Sequence, residues 1–262
     1  MTKNCMNCKN CNKSIENNFC SYCGQRTKID RINLKSTLFE LQNSLLQFDK
    51  GFFHTIKELS IRPGTTIKNF INGKRKFYYK PFSYVFLTTT LYVFIMFLLD
   101  RDSFISEFIS SFQRGWNDSA TDNNFGNPSD ENIFSWLKKN QIYLVLIYIP
   151  LFSLASFFSH IKGKYNYFEH LVIQLYISGH QMMIYLIFSF FIFNDEILAI
   201  LTILGSSVYG FWSYTKIFNT KTILNTFLRY VLMYVLFIII LLVTSLITTL
   251  VSVLIYKIFQ LQ

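Results

Sequence analysis

Five long apolar runs constrain the fold of this 262-residue chain more than any other feature of its sequence. A helix needs roughly 20 mostly apolar residues to cross a bilayer, and only helices or closed barrels satisfy their backbone hydrogen bonds in lipid. None of the runs alternates with the ten-residue rhythm of an outer-membrane barrel. The sequence therefore predicts an all-α polytopic membrane protein. Its five spans are expected at about Phe82–Leu99, Ile142–Phe158, Phe168–Phe193, Ile197–Ile217 and Leu224–Tyr256.

The composition argues against a water-soluble enzyme and places the excess charge in the N-terminal third. Only 15% of the residues are charged, against about 25% in soluble domains, while 51% are apolar. Residues 1–80 carry 15 lysines and arginines with 5 acids, so the whole net charge of +10 lies there. A basic and apolar chain of this kind is typical of a membrane protein that faces anionic lipid.

The charges of the loops predict the orientation, because cytoplasmic loops collect lysine and arginine. Basic residues cluster just before the first span, acids dominate the loop at 100–140, and the later loops continue to alternate in sign. We therefore expect a cytoplasmic N-terminus and an outside C-terminus, although the long fifth run leaves a hairpin open. The first 30 residues lack the apolar core of a signal peptide. The abundance of Asn, Lys, Ile, Phe and Tyr is typical of an A/T-rich genome. We therefore expect a bacterial protein of the inner membrane.

A cysteine-rich head, residues 1–30, precedes the membrane segments. Two CxxC pairs separated by eight residues have the form of a small zinc ribbon, in which four thiolates surround one ion. Gly24 permits the unusual backbone angles of the second turn, and a reducing cytoplasm keeps the thiols free for ligation. We therefore predict a structural Zn²⁺ that supplies most of the folding free energy of the head. The predicted ligands are Cys8, Cys11, Cys20 and Cys23.

Other chemistry stays open for this head. Another metal, an iron–sulfur cluster or redox activity are alternatives to zinc, and Cys5 forms a third CxxC with Cys8. Zinc ribbons often contact nucleic acid. Four thiolates around a divalent ion, however, have a net charge of −2, and the basic residues of the chain concentrate toward the membrane, away from the ribbon. We therefore expect a protein partner rather than nucleic acid.

Residues 31–80 form a basic, amphipathic juxtamembrane segment. Asn33 is a candidate N-cap for a helix whose apolar residues repeat every three or four positions. These apolar residues are Leu34, Leu38, Leu41, Leu45 and Phe48. Two shorter helices are predicted, one at about Phe52–Ser60 and one from Thr65 to Gly73. We expect all three helices to lie along the inner leaflet.

The end of this segment has two interpretations. In the first interpretation the segment is a simple membrane anchor, because cations interleaved with aromatic residues are typical of the lipid headgroup level. In the second it forms a site for a lipid headgroup or phosphate, where glycine permits close approach and arginine gives bidentate bonds. The candidate lipid- or partner-binding residues are Arg62, Gly64, Lys74, Arg75, Lys76, Tyr78 and Lys80.

The order of motifs resembles a family of uncharacterised bacterial membrane proteins, known as a domain of unknown function with an N-terminal zinc ribbon. The resemblance rests on FCxxCGQ, DKGFFxT, RPG, GKR followed by a tyrosine, a proline before the first span, and a later NxxEHLV. It is good up to about Tyr84, patchy through the third span and missing in the outer loop. A cytoplasmic head before five spans is also similar, as architecture only, to Yip-type membrane-trafficking proteins. Neither resemblance implies an activity.

Polar residues concentrate in the third span. The candidate intramembrane site consists of Glu169, His170, Gln174, His180 and Gln181. At 100° per residue these side chains form two stripes, both of which must face protein or water. They predict either a proton relay, ion pathway or substrate site, or ordinary interhelical hydrogen bonds worth about 0.6–2 kcal/mol each. We favour hydrogen bonds, with His180 as the best functional candidate because it lies deeper.

The sequence contains no serine-hydrolase, metalloprotease or phosphate-loop motif, so we predict no enzymatic activity. We expect an integral inner-membrane protein whose zinc-ribbon head recruits or senses a cytoplasmic partner beside anionic lipid. The alternative is a small transporter or channel component that uses the third span. Residues 81–262 then form the five-span bundle, and a homo-oligomer stays open.

Overall fold

The computed structural model describes residues 6–15, 17–27, 29–42, 51–123, 128–161, 163–192, 194–218 and 222–260. Two short strands, β1 (Met6–Asn7) and β2 (Ser14–Ile15), pair in antiparallel fashion within the head. The described helices are α1 (Leu34–Gln42), α2 (Gly51–Ile61), α3 (Pro63–Ile71), α4 (Pro81–Leu98), α5 (Phe104–Asn123), α6 (Pro128–Lys139), α7 (Gln141–Ser159), α8 (Tyr167–Phe191), α9 (Asp195–Phe218) and α10 (Ile223–Gln260).

The five predicted spans are confirmed as helices long and apolar enough to cross a membrane. They are α4, α7, α8, α9 and α10, and they make this a multi-pass helical membrane protein. Helix α8 lies at the centre, with 72% of its most apolar window buried, whereas the corresponding window of α10 is only 11% buried. The apolar side chains of α10 therefore face outward, where lipid would cover them.

The fifth apolar run is one helix and not a hairpin. Helix α10 has 38 residues in the described part of the chain. At 1.5 Å per residue it is about 57 Å long, which exceeds the roughly 30 Å of a bilayer core. Its first part, Ile223–Ile247, is the candidate span.

The juxtamembrane helices α2 and α3 are buried against the spans, and their position along the inner leaflet stays a prediction. Helices α2 and α3 pack against α8 and α9, and Leu59, Ile67 and Phe70 are 0–2% exposed in the same core cluster as Tyr176. Their apolar faces are buried by protein because the spans present apolar side chains to them. Helix α1 begins as predicted, since the Asn33 side chain accepts a 2.9 Å hydrogen bond from the Ser36 amide. Leu45 and Phe48 lie outside the described residues.

The loop at 100–140 is mostly helical. Helix α5 begins with apolar residues and continues through polar residues to Asn123, and α6 begins at Pro128. The two helices pack together, with the Phe112 and Phe134 rings 6.2 Å apart. Arg101, just before α5, donates to the carbonyls of Ser189 and Ile192, so this pair of helices follows the end of the bundle opposite to the head.

Candidate functional site

Four cysteines of the head form a compact cluster that could hold a metal ion. The sulfurs of Cys8, Cys11, Cys20 and Cys23 all lie within 4.8 Å of one another. Two of the separations are 3.6 Å, from Cys8 to Cys23, and 3.5 Å, from Cys11 to Cys20. Four sulfurs about 2.3 Å from a central ion are about 3.8 Å apart in a tetrahedron, so these separations suit tetrahedral ligation. Cys5 lies outside the described residues.

The two CxxC turns have the same backbone geometry. The Cys8 amide donates to the Lys13 carbonyl and the Cys20 amide donates to the Gln25 carbonyl, each over 2.8 Å. Gly24 has the left-handed φ of +69° expected for it, and Asn12 has the matching φ of +59° in the first turn. Asparagine tolerates this conformation better than most residues, so Asn12 substitutes for glycine. The C-x2-C-N sequence was a signal that could have identified it.

Backbone amides favour the thiolate form of one ligand. Hydrogen bonding from the Cys23 amide lowers the pKa of Cys20 to about 6, although burial acts in the opposite direction. The Tyr22 amide and two neighbouring thiols also lower this pKa. Thiolates are the metal-binding form of cysteine. The donor set therefore fits a thiophilic ion such as zinc.

Gln25 attaches the head to the turn that follows α3. Its side chain is 4% exposed and makes three hydrogen bonds with backbone atoms. Nε2 donates to the Gly73 carbonyl over 3.0 Å, and Oε1 accepts from the amides of Arg75 at 3.0 Å and Lys76 at 3.2 Å. Gly73 itself has a φ of +100°, which favours glycine. The FCxxCGQ and GKR motifs are thus in direct contact.

Arg31 and Glu169 attach the head to the central span. The Arg31 Nε and Nη2 groups donate to the two Glu169 carboxylate oxygens over 2.9 and 2.8 Å, and Nη2 also donates to the Lys164 carbonyl. The Glu169 carboxylate raises the pKa of the exposed Arg31 guanidinium. Asn166 caps α8 by accepting from the Glu169 amide, while its Nδ2 donates to the Ile32 carbonyl. Glu169 is therefore a structural link between head and bundle.

Two residues of the predicted headgroup site have other partners. Arg62 makes a bidentate ion pair with Glu58, over 2.7 and 2.8 Å, and this guanidinium lowers the pKa of the Glu58 carboxyl. A Cβ atom on Gly64 would collide with the Cβ of Lys216 and lie 2.9 Å from its carbonyl carbon. Gly64 is thus required for close packing of α3 on α9, which corrects the expectation that it opens space for a ligand.

The remaining residues of that site are distributed around the turn. Lys74 and Lys76 are exposed, and Lys80 is half-buried at the start of α4. Arg75 folds back on α3, with its Nε donating to the Phe70 carbonyl and its guanidinium 5.3 Å from the Phe70 ring. The Tyr78 hydroxyl accepts a 3.4 Å hydrogen bond from Asn69. These contacts do not bring the seven candidates together into one site.

In the third span, His180 and Gln181 connect helices. The His180 Nδ1 and Nε2 atoms lie 3.0 Å from the Tyr84 hydroxyl and 3.3 Å from the Ser60 hydroxyl. Gln181 donates from Nε2 to the Ser206 carbonyl over 3.0 Å. Both nitrogens of His180 are therefore used in contacts between α8 and its neighbours, which is the packing interpretation.

His170 and Gln174 belong to a buried chain of hydrogen bonds that joins three spans. Ser156 lies 2.8 Å from His170 Nδ1 and 2.6 Å from the Tyr214 hydroxyl, and Tyr214 accepts from Gln174. Among the described atoms, the Nε2 atoms of His170 and of nearby His160 have no hydrogen-bond partner. Ser156, His160 and Tyr214 were not identified from the sequence, because serine and tyrosine are common in packed helices.

Comparison with known proteins gives a family match without a function. Residues 49–93 match the model of a family described as "Protein of unknown function (DUF3667)". This segment covers α2, α3, the turn after α3 and most of α4. No curated protein and no solved structure matches the chain. The predicted likeness to a family of unknown function is confirmed over this segment, while the Yip-type likeness and the bacterial origin stay predictions.

Proposed function

We propose that this chain is a non-enzymatic membrane protein whose zinc-bearing head recruits a cytoplasmic protein to the membrane surface. The observation that carries the proposal is the way the head is attached. Gln25 and Arg31 fix it to the bundle, while the side chain of Tyr22 in the second CxxC turn stays exposed. A head that is fixed to the bundle and keeps one turn accessible is typical of an adaptor, which binds a partner protein at the membrane.

The accessible surface of the head is aromatic and basic. The side chains of Phe19 and Tyr22 are 58% and 69% exposed, and Lys13 lies over the Tyr22 ring at 4.8 Å. Exposed aromatic residues next to cations are typical anchors for protein partners. The chemistry of this surface fits an acidic peptide segment that also carries apolar side chains.

Zinc is the metal that best fits the head. Four thiolates in tetrahedral positions form a closed structural site with no open coordination position. The residues that would hold the ion are Cys8, Cys11, Cys20 and Cys23. Bound there, the ion would keep the two turns in the relative position that presents Tyr22.

Photo-crosslinking tests the partner proposal in native membranes. A photoreactive phenylalanine at Tyr22 is expected to label one soluble protein, and the labelling is expected to disappear when Cys20 and Cys23 are changed to Ser. The same probe at Phe53, an aromatic residue of α2 that is 78% exposed, is the matched control. Equal labelling from both positions, or labelling that survives loss of the metal site, contradicts recruitment by the head.

We also propose a cytoplasmic head and an outside C-terminus in a bacterial inner membrane. The excess of cations in residues 1–80 supports this orientation by the positive-inside rule. A reporter enzyme fused after Gln262 is expected to be active only outside the cytoplasm. Cytoplasmic activity of that fusion would contradict an odd number of spans.

A second candidate function is a small transporter or channel component. It is favoured by the buried chain from Gln174 to His170, since unpaired nitrogens within a span mark ion or proton pathways. In proteoliposomes, His170→Phe would abolish proton flux at normal abundance if this candidate is right. Changing His180 to Leu is expected to reduce abundance instead, because that residue connects helices.

A further inference from the structure

A cavity of about 320 Å³ lies between the head and the bundle. Its wall combines Lys9 from the first CxxC turn, Arg31 from the linker, Asn72 from the end of α3 and Lys164 from the loop before α8. The cavity exists only because the head is docked, since these segments are distant in sequence. Its volume is at the low end of small-ligand sites.

Two ammonium groups on this wall keep most of their hydrogen-bond donors available. Lys9 donates one hydrogen bond, over 3.2 Å, to the Ile29 carbonyl, and the Lys164 ammonium lies 5.0 Å from the centre of the Tyr165 ring. Among the described residues, neither lysine forms an ion pair. Each ammonium has three protons to donate, so an anion in the cavity would find several donors.

The acids on the wall do not cancel this charge. The two oxygens of Glu169 accept from Arg31 and from the Asn166 amide, and the residue is 3% exposed, so its charge is already compensated. Asp30 is exposed to solvent, and its main-chain carbonyl accepts from the Arg75 guanidinium over 3.4 Å. Arg75 thus brings a further cation to the edge of the cavity.

The pKa of the neighbouring Lys68 is consistent with an accumulation of positive charge at this wall. Burial, and then the charge of Lys164, lower the pKa of the Lys68 ammonium. Lysines that are close enough to repel each other are stabilised by an anion placed between them. None of the residues of the predicted headgroup site lines this cavity.

We propose that the cavity between head and bundle binds a phosphate group, with Lys9 and Lys164 as its principal donors. The phosphate belongs to an anionic phospholipid headgroup or to a small soluble phosphate. The cavity lies beside the first turn of α8, at the end of the spans where headgroups are found. A phosphate there contacts head and bundle together, so it stabilises the docked head.

The test uses the purified full chain in neutral detergent, with its metal content measured in every variant. The probes are sodium phosphate, dioctanoyl phosphatidic acid and, as the neutral control, dioctanoyl phosphatidylcholine, each titrated while thermal unfolding is followed. Lys9→Ala/Lys164→Ala is compared with Lys35→Ala/Lys57→Ala, which removes two exposed lysines that do not line the cavity. Both variants lose the same charge, so general attraction to anions affects them equally.

Stabilisation of the wild-type chain is expected, and the cavity variant should need about tenfold or more of the probe for the same effect. Stabilisation by phosphatidic acid alone assigns a lipid, by sodium phosphate alone a soluble ligand, and by both the phosphate group itself. Failure of both probes to stabilise the chain, or an equal loss in the control variant, overturns the proposal. The partner proposal for Tyr22 is unaffected by either result, because Tyr22 does not line the cavity.

Discussion

Replacing Gln25 by alanine should release the head from the bundle without unfolding either of them. The substitution removes the three hydrogen bonds between this side chain and backbone atoms of Gly73, Arg75 and Lys76. It changes no cysteine and no residue of a span. The expected effect is therefore on docking alone.

The structure sets the size of this effect. A protein hydrogen bond contributes about 1 kcal/mol net, and a buried partner left unpaired costs about 1–3 kcal/mol. Lys74 and Lys76 are exposed, so water can reach part of the turn once the Gln25 side chain is gone. We expect a loss of about 2–3 kcal/mol, which is about 30- to 150-fold in the docking equilibrium.

Hydrogen–deuterium exchange of the full chain in nanodiscs measures this change. Amides of residues 17–33 are expected to exchange about thirtyfold or more faster in the Gln25→Ala variant, whereas amides of α8 keep their protection. Gln113→Ala is the matched control, because Gln113 accepts from Lys138 at the other end of the bundle. If the head exchanges at the wild-type rate in a folded Gln25→Ala chain, these hydrogen bonds do not hold it.

Three further predictions concern the metal, one helix contact and acid stability. Metal removal by a chelator, or Cys20→Ser, should unfold the head and leave the spans helical, because ligation supplies most of the stability of so small a module; metal analysis and circular dichroism check this. Gly64→Ala should destabilise the chain by about 1–3 kcal/mol in thermal unfolding, since α9 leaves no room for a Cβ, whereas Gly115→Ala has nothing within 4 Å and should not. Burial lowers the pKa of His160 from 6.5 to about 4, so the folded protein keeps it neutral where the unfolded chain binds a proton. His160 should thus lower the free energy of unfolding by up to about 3 kcal/mol between pH 6.5 and 4, and His160→Phe should remove this share of the total pH dependence.

The spans and the four-cysteine cluster were predictable because their signals are local. Hydropathy over about 20 residues identifies a span wherever it packs, and the two CxxC pairs carry their own turn geometry. The end of the helix at Asn123 was missed, since polar residues in an outer loop gave no apolar repeat to follow.

The docking of the head was not predictable because it joins distant residues. Arg31 and Glu169 are 138 positions apart, and nothing near either residue indicates the other as its partner. Gly64 shows the same limit, since only the position of Lys216 on α9 explains why a side chain is excluded there. The cavity lined by Lys9 and Lys164 exists only after these contacts have formed.

The head, with its four-cysteine cluster, and the central span form one docked unit. Hydrogen–deuterium exchange at residues 163–166 of the full chain, with and without a metal chelator, tests this claim. The Lys164 carbonyl and the Asn166 side chain are bonded to the linker that follows the head, so metal removal should speed exchange in this loop. Unchanged exchange there, in a chain shown to have lost its metal and its folded head, would contradict the claim.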